Sequence, residues 1–198
     1  MVHYSTDYVY SGEGERPWTE DDPTGPLGVY GRTKLEGDRE VHAAGGRHLI
    51  FRTSWVYDEE GKNFVNGMLR LGRERETLRV VADQHGAPTY APDLAGASLE
   101  ALDRARSLPE FPSGVYHLCG AGETTWYGFA CAIFERARTH GIPLQVKTVE
   151  AITTADYPTP SRRPVNSRLN TERARRTLGV ALRPWEQALD QCIGNMKP

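Results

Sequence analysis

The chain has 198 residues, 38% hydrophobic and 25% charged, enough to bury one full core with at most a small appendage. Its 24 Lys and Arg against 26 Asp and Glu give a net charge of −2, which argues against a basic nucleic-acid-binding surface. Apolar runs as short as His48-Leu-Ile-Phe51 exclude a transmembrane helix, and Met1-Val-His-Tyr-Ser5 has no secretory-signal pattern.

In chain order, Val2-His3-Tyr4 reads as the end of a β-strand running into Ser5-Thr6-Asp7, with almost nothing before it. Ser11 to Gly28, with Pro17, Pro23 and Pro26, is a loop. Val29 to Ala44 favours a helix closed by Gly45-Gly46. His48 to Val56 reads as one strand, Asn63 to Glu74 as a helix with Phe64, Met68 and Leu71 on one face, and Leu78 to Ala82 as a strand. Pro92 opens a helix to about Arg106, Gly114 to Cys119 is a strand, and Trp126 to Thr139 a helix. Leu144 to Val149 is extended, Thr171 caps a short helix to Leu178, and Pro184 opens the last one. Strands alternating with helices predict an α/β fold with a largely parallel sheet, whose ligands lie at the carboxyl ends of the strands. Ser5-Thr6-Asp7, Arg52-Thr53-Ser54 and Asp83-Gln84 sit at such ends.

The charge is uneven: residues 1–40 hold nine acids and four bases, residues 161–198 eight bases and three acids. Most of these are expected on solvated faces, with an anionic ligand near the C-terminal arginines as the functional alternative. Cys119, Cys131 and Cys192 are widely spaced and form no Cys-x-x-Cys, so a disulfide framework or zinc site is not expected and a cytoplasmic location is. His85 and His117 read as packing rather than metal ligands.

Tyr30-Gly-Arg-Thr-Lys34 places a phenol and an ammonium one helical turn apart. A nearby cation favours the phenolate, which suits proton transfer; a helix-surface pair is the plain alternative. Ser5-Thr6-Asp7-Tyr8-Val9-Tyr10 at a strand end offers a hydroxyl donor beside a carboxylate acceptor, or simply a turn that ends the strand. Gly25-Pro-Leu-Gly-Val-Tyr-Gly31 matches Gly-x-x-Gly-x-x-Gly, but an acidic turn precedes it instead of a strand, so it is not read as a dinucleotide fingerprint.

Taken together, Ser5 to Tyr10, the acidic Pro/Gly loop and Val29-Tyr-Gly-Arg-Thr-Lys-Leu-Glu-Gly37 resemble the extended short-chain dehydrogenase/reductases, and within them the dTDP-4-dehydrorhamnose reductase family. The likeness continues through Arg52 to Tyr57, Gly61 to Phe64, Asp83 to Thr89, Pro92 to Leu94, Thr124 to Gly128 and Arg163 to Leu169. It implies an incomplete Rossmann-like parallel sheet with a smaller C-terminal substrate-binding portion, divided as residues 1–85 and 86–198 and interleaved. It also implies NADPH- or NADH-dependent reduction of the C4 keto group of dTDP-4-dehydro-L-rhamnose. Tyr30 would donate the proton, Lys34 would assist it and hold the nicotinamide ribose with Ser5, and Thr6 would bond the reacting oxygen. Asp7, Tyr8 and Trp55 would shape the sugar pocket, with a core aromatic as the alternative for Trp55. Ala87, Pro88, Thr89, Arg162, Arg163 and Arg168 would face the nucleotide diphosphate. Mg2+ is a secondary expectation.

The family's glycine-rich nucleotide unit has no counterpart here, so the chain is expected to be the C-terminal part of such a reductase, inactive alone and self-associating through its bare sheet edge. No nucleic-acid or membrane partner is expected. A non-catalytic regulatory module and a nucleotide-sugar epimerase stay open as alternatives.

Overall fold

A computed structural model describes residues 1–159 and 161–196. Its centre is a parallel sheet of β1 (Val2–Thr6), β2 (Leu49–Thr53) and β7 (Gly114–His117), in the order β1-β2-β7. The register pairs Ser5 with Arg52 and Thr6 with Thr53. Arg52 pairs in turn with His117. Side chains alternate across a strand, so Leu49 and Phe51 face one way, Ile50 and Arg52 the other. The Leu49 and Phe51 face packs on α3 (Ala91–Ser107) and α5 (Glu172–Leu178) through Leu94, Ala101, Ala174 and Leu178. The opposite face carries α1 (Val29–Ala43), whose Asp38 reaches Arg52.

A second layer joins β4 (Thr77–Val81) and β9 (Thr148–Ile152) in parallel. It shares one apolar cluster with α2 (Phe64–Glu74), α4 (Trp126–Thr139) and α6 (Trp185–Asn195), centred on Phe129, Ile133 and Leu189. Residues 86–198 thus supply β7, α3 and α5 to the central sheet, while 64–81 belong to the second layer. The chain crosses between layers because parallel strands require long crossovers.

Several boundaries differ from the sequence reading. The strand expected over 48–56 breaks at Ser54-Trp55, where Trp55 takes φ +49°, and resumes as β3 (Val56–Tyr57) against β6 (Thr89–Tyr90). Tertiary packing selects this disfavoured backbone, because the Trp55 indole lies over Gly86. The extended segment expected at 144–149 is displaced to 148–152, where hydrogen bonds to the Glu76 carbonyl start its pairing with β4. Thr171 stands at the N-cap of α5 as expected, but its side chain makes no capping hydrogen bond; the Glu172 amide donates instead to Asn170 Oδ1 at 2.9 Å. The two-residue strands β3, β5 (His85–Gly86), β6 and β8 (Thr124–Thr125) are too short for a periodic signal.

Candidate active site

The carboxyl end of β1 supplies the first polar groups. Thr6 caps a 3-10 turn over Asp7–Val9: its Oγ1 accepts from the Tyr8 amide at 3.2 Å and donates to Asp7 Oδ1 at 3.1 Å. Asp7 is buried, and burial pushes its carboxyl up to about 6 against the lowering effect of hydrogen bonds from Ser167 and Thr6. Its Oδ2 has no hydrogen-bond partner among the described residues, and the same holds for the buried hydroxyls of Ser5 and Thr53. Buried polar groups are normally paired, so three orphans around one strand end indicate groups awaiting a ligand or water.

Helix α1 brings Tyr30 and Lys34 to the same place. Gly31 permits the approach, because a Cβ there would lie 2.2 Å from the Tyr8 carbonyl oxygen. Tyr30 is 57% exposed and meets Tyr8 edge-on, with ring centroids 5.6 Å apart. Burial, and then the neighbouring Asp7 charge, raises the Tyr8 phenol above its ordinary value. Lys34 Nζ donates to the Tyr4 carbonyl at 2.5 Å, from the turn after Tyr30.

Three recesses adjoin these groups. One of about 420 Å³ is bordered by Tyr4, Ser5, Tyr30, Lys34, Thr53 and Leu94. A second, about 540 Å³, continues past Tyr30 to Thr6, Asp7, Tyr8, Trp55, Trp126 and Arg163. A third, about 240 Å³, is walled by Phe64, Arg79, Gln84, Trp126, Tyr157 and Arg163. Trp126 and Arg163 border both of the last two and so join them. The Trp55 and Trp126 rings stack at 3.7 Å, and a Cβ on Gly86 would lie 2.6 Å from the Trp55 ring, so the aromatic wall is held from both sides. Trp55 is therefore a half-buried cleft residue rather than a core aromatic.

The structure thus gathers Ser5, Thr6, Asp7, Tyr8, Tyr30, Lys34, Trp55 and Arg163. It does not bring the other expected residues to the cleft. Ala87, Pro88 and Thr89 are buried: the Ala87 carbonyl accepts from Ser54 Oγ at 3.0 Å, and Thr89 Oγ1 accepts from the Gly120 amide at 3.3 Å. They support the wall instead of facing a diphosphate. Arg168 uses its donors on the Glu15 carbonyl (2.7 Å), Asn166 Oδ1 (2.9 Å) and Glu123 Oε2 (3.4 Å), and acts as a strut. Arg162 lies on the surface beside Glu13. Among the described residues no carboxylate lies within 4 Å of the Arg163 guanidinium.

Thr53 was expected only as part of a polar strand end, and Trp126, Arg79, Tyr157, Phe64 and Met68 were not expected as site residues. Trp126 lay in a segment that carried the resemblance, but no local spacing marks any of the five as facing a cleft. No cluster of three or more His, Cys, Asp or Glu able to hold a metal occurs among the described residues, so the Mg2+ expectation finds no ligand set. His117, pushed down to about 3 chiefly by burial, is a neutral packing residue.

The orphaned Ser5 and Thr53 hydroxyls, with Tyr30 and Lys34, fit the nicotinamide-ribose end of a dinucleotide. The glycine-rich turn Gly120-Ala121-Gly122 does not fit its pyrophosphate. A Cβ on Gly120 would lie 2.2 Å from the Pro88 carbonyl oxygen, and Gly122 packs on the Trp185 indole.

The model of a family described as RmlD substrate binding domain matches residues 1–197. The chain belongs to that family. Among curated proteins, the dTDP-4-dehydrorhamnose reductases of Escherichia coli K12 and Burkholderia thailandensis are 47% and 46% identical to it. Each alignment covers 99% of this chain; it covers 65% of the first relative and 67% of the second. The chain therefore spans about two thirds of the length of these relatives. Its fold matches a crystal structure of a Clostridium acetobutylicum dTDP-4-dehydrorhamnose reductase with a TM-score of 0.87 and 38% identity, over 97% of this chain and 64% of that one. A Bacillus anthracis dTDP-4-dehydrorhamnose reductase solved in complex with NADP gives 0.86 and 32%, over 96% and 64%. No helix among the described residues is long and apolar enough to cross a membrane.

Proposed function

We propose that this chain provides the proton-donating and sugar-nucleotide-binding side of a reductase that converts dTDP-4-dehydro-L-rhamnose to dTDP-L-rhamnose with NADPH. The observation that carries the reading is the meeting of Tyr30, Lys34, Thr6 and the unpartnered Asp7 Oδ2 around one cleft. A nicotinamide dinucleotide, when bound, supplies the hydride that adds to C4. Tyr30 gives its phenolic proton to the C4 oxygen, so the ketone gains one hydride and one proton and becomes the alcohol. The Lys34 ammonium, one turn away, offsets the negative charge left on Tyr30. Thr6 donates to the same oxygen after releasing Asp7 Oδ1, and the freed carboxylate accepts from a sugar hydroxyl.

The sugar fits the recess between Tyr8 and Trp55. The diphosphate fits beside Arg163, whose guanidinium lies at the junction of two recesses and can grip phosphate bidentately. The thymine fits the recess lined by Phe64, Trp126 and Tyr157. The test is calorimetry with dTDP together with NMR detection of reduced sugar in the presence of NADPH. Binding of dTDP by this chain is expected, with formation of the alcohol by the reductase that contains it, and Tyr30→Phe should abolish only the second. No dTDP binding sinks the reading. Binding without reduction by that reductase favours a non-catalytic binding module. We also propose that β1, an edge strand with Tyr4 exposed, mediates self-association, which light scattering measures.

A further inference from the structure

We propose that the buried ion pair of Asp38 and Arg52 positions Tyr30 and Lys34 by fixing how α1 sits on the sheet; this rests on the roles proposed above for those two residues. Within the 15 residues of α1 only Gly31, Leu35 and Asp38 are buried, a single stripe at spacings of four and three. A helix in a globular fold usually buries three or four apolar side chains per two turns. Here one leucine is the only large apolar group on the buried stripe, and apolar contact by itself has little directional preference.

The directional contact comes from Asp38. Its side chain and that of Arg52 are 5% and 6% exposed, and Arg52 Nε donates to Asp38 Oδ2 at 3.2 Å. Arg52 is itself fixed. It sits on the central strand, donates from Nη1 to the Tyr10 hydroxyl at 2.8 Å, and lies 5.2 Å over the Tyr10 ring. The Tyr10 hydroxyl also meets His117 Nε2, on the next strand, at 2.6 Å. The second oxygen of Asp38 lies 3.4 Å from His3 Nε2 on β1, the strand that delivers Ser5 and Thr6. Asp38 thus ties the helix to β2 by a hydrogen bond and sets its second oxygen beside β1, without a hydrogen bond to His3.

At the other end Gly31 rests against the Tyr8 carbonyl. Two fixed points, seven residues or about 10 Å apart along the helix, define its axis and rotation. Lys34 lies between them and Tyr30 beside the first. A buried ion pair seldom stabilises a fold more than well-packed apolar residues of similar volume would, and one recognised use of such pairs is to select a single register. On this chain the register selected is the one that presents a phenol and an ammonium to a cleft.

Asp38→Asn and the double variant Asp38→Leu/Arg52→Met test the idea. Two NMR reporters read the position of α1: the contact between the Tyr8 and Tyr30 rings, and the Tyr4 carbonyl carbon shift produced by Lys34. The Trp55 and Trp126 stack, outside the network, is the control. The expected result is a double variant that melts near the wild-type temperature and keeps the control contact but loses both reporters. Its turnover should fall by about ten- to a hundredfold, as for a misplaced catalytic group, with dTDP affinity changed by less than about twofold. A folded double variant with both reporters intact, or Asp38→Asn with intact reporters and full turnover, overturns the proposal and leaves the pair a purely structural one. The reporters need no turnover, so a wild-type chain that fails to bind dTDP removes the functional reading while the positioning question is still decided.

Discussion

The two ends of β1 and β2 use polar groups in opposite ways. Mid-sheet, on the α1 face, hydrogen bonds join Arg52, Asp38, Tyr10 and His117 into one network, with only Asp38 Oδ1 and the adjoining His3 Nε2 left without a hydrogen-bond partner at its edge. Toward the strand ends, Ser5 Oγ, level with Arg52 in the register, and Thr53 Oγ1 and Asp7 Oδ2, a residue or two further on, are buried and unpartnered. The mid-sheet arrangement is what a folded chain needs. The strand-end arrangement is unfavourable in the free protein, since a buried polar atom without a partner costs about 1–3 kcal/mol. A ligand that supplies the missing partners recovers that energy as affinity. Three of the eight unpartnered buried polar atoms found among the described residues border this cleft.

The largest effect expected on breaking this contrast is catalytic. In the reductase that contains this chain, Tyr30→Phe should lower kcat by about 10²–10⁴ while dTDP affinity hardly changes, because the ring remains and the proposed role of the phenol is confined to the proton transfer. Steady-state rates with calorimetry check both halves of the statement. On the structural side, Arg52→Met leaves Asp38 buried without its cation and should destabilise the fold by about 3–5 kcal/mol in urea unfolding.

Asp7 sharpens the comparison, because there function and stability should part. Its carboxyl is raised to about 6 by burial, so this group's contribution to stability is fully present below the unfolded value of about 4 and is lost as pH rises through 6. Asp7→Asn should therefore raise stability at pH 7 by about 1–3 kcal/mol and flatten the stability profile between about pH 4 and 6, while weakening sugar binding. Denaturation at several pH values measures the first effect; a mutant no more stable than wild type at pH 7 contradicts it.

The arginines give the smallest and most graded set. Arg163→Gln should weaken dTDP binding by about tenfold or more, since a charge-assisted phosphate contact is worth about 1.5–3 kcal/mol. Arg168→Gln should lower stability by about 1–3 kcal/mol and disturb binding only through the loop it holds. Arg162→Gln should change either quantity by less than about 0.5 kcal/mol, because its pairing with Glu13 is 70% exposed on both sides. Equal effects on dTDP affinity at all three positions would erase the distinction the structure draws between them.

The sequence by itself determined the α/β alternation, most helix limits and the chemical core of the cleft. Proline at helix starts, glycine after α1 and the 3.6-residue period are local signals. Tyr30 and Lys34 share one helix, and Thr6 and Asp7 adjoin at a strand end, so spacing alone puts each pair together. Tertiary structure decided what distant segments do to one another. Arg162, Arg163 and Arg168 look alike in sequence, yet one is solvated, one borders the cleft and one is spent on backbone and side-chain acceptors. Ala87, Pro88 and Thr89 are buried because Ser54 and Gly120 close on them, contacts 31 to 33 residues away in the chain. The break at Trp55, the Trp126 wall and the seat of Asp38 on Arg52 likewise depend on partners that no local pattern encodes. Burial and hydrogen-bond partnership belong to the packed chain, and they separate a ligand-facing side chain from a structural one of the same type.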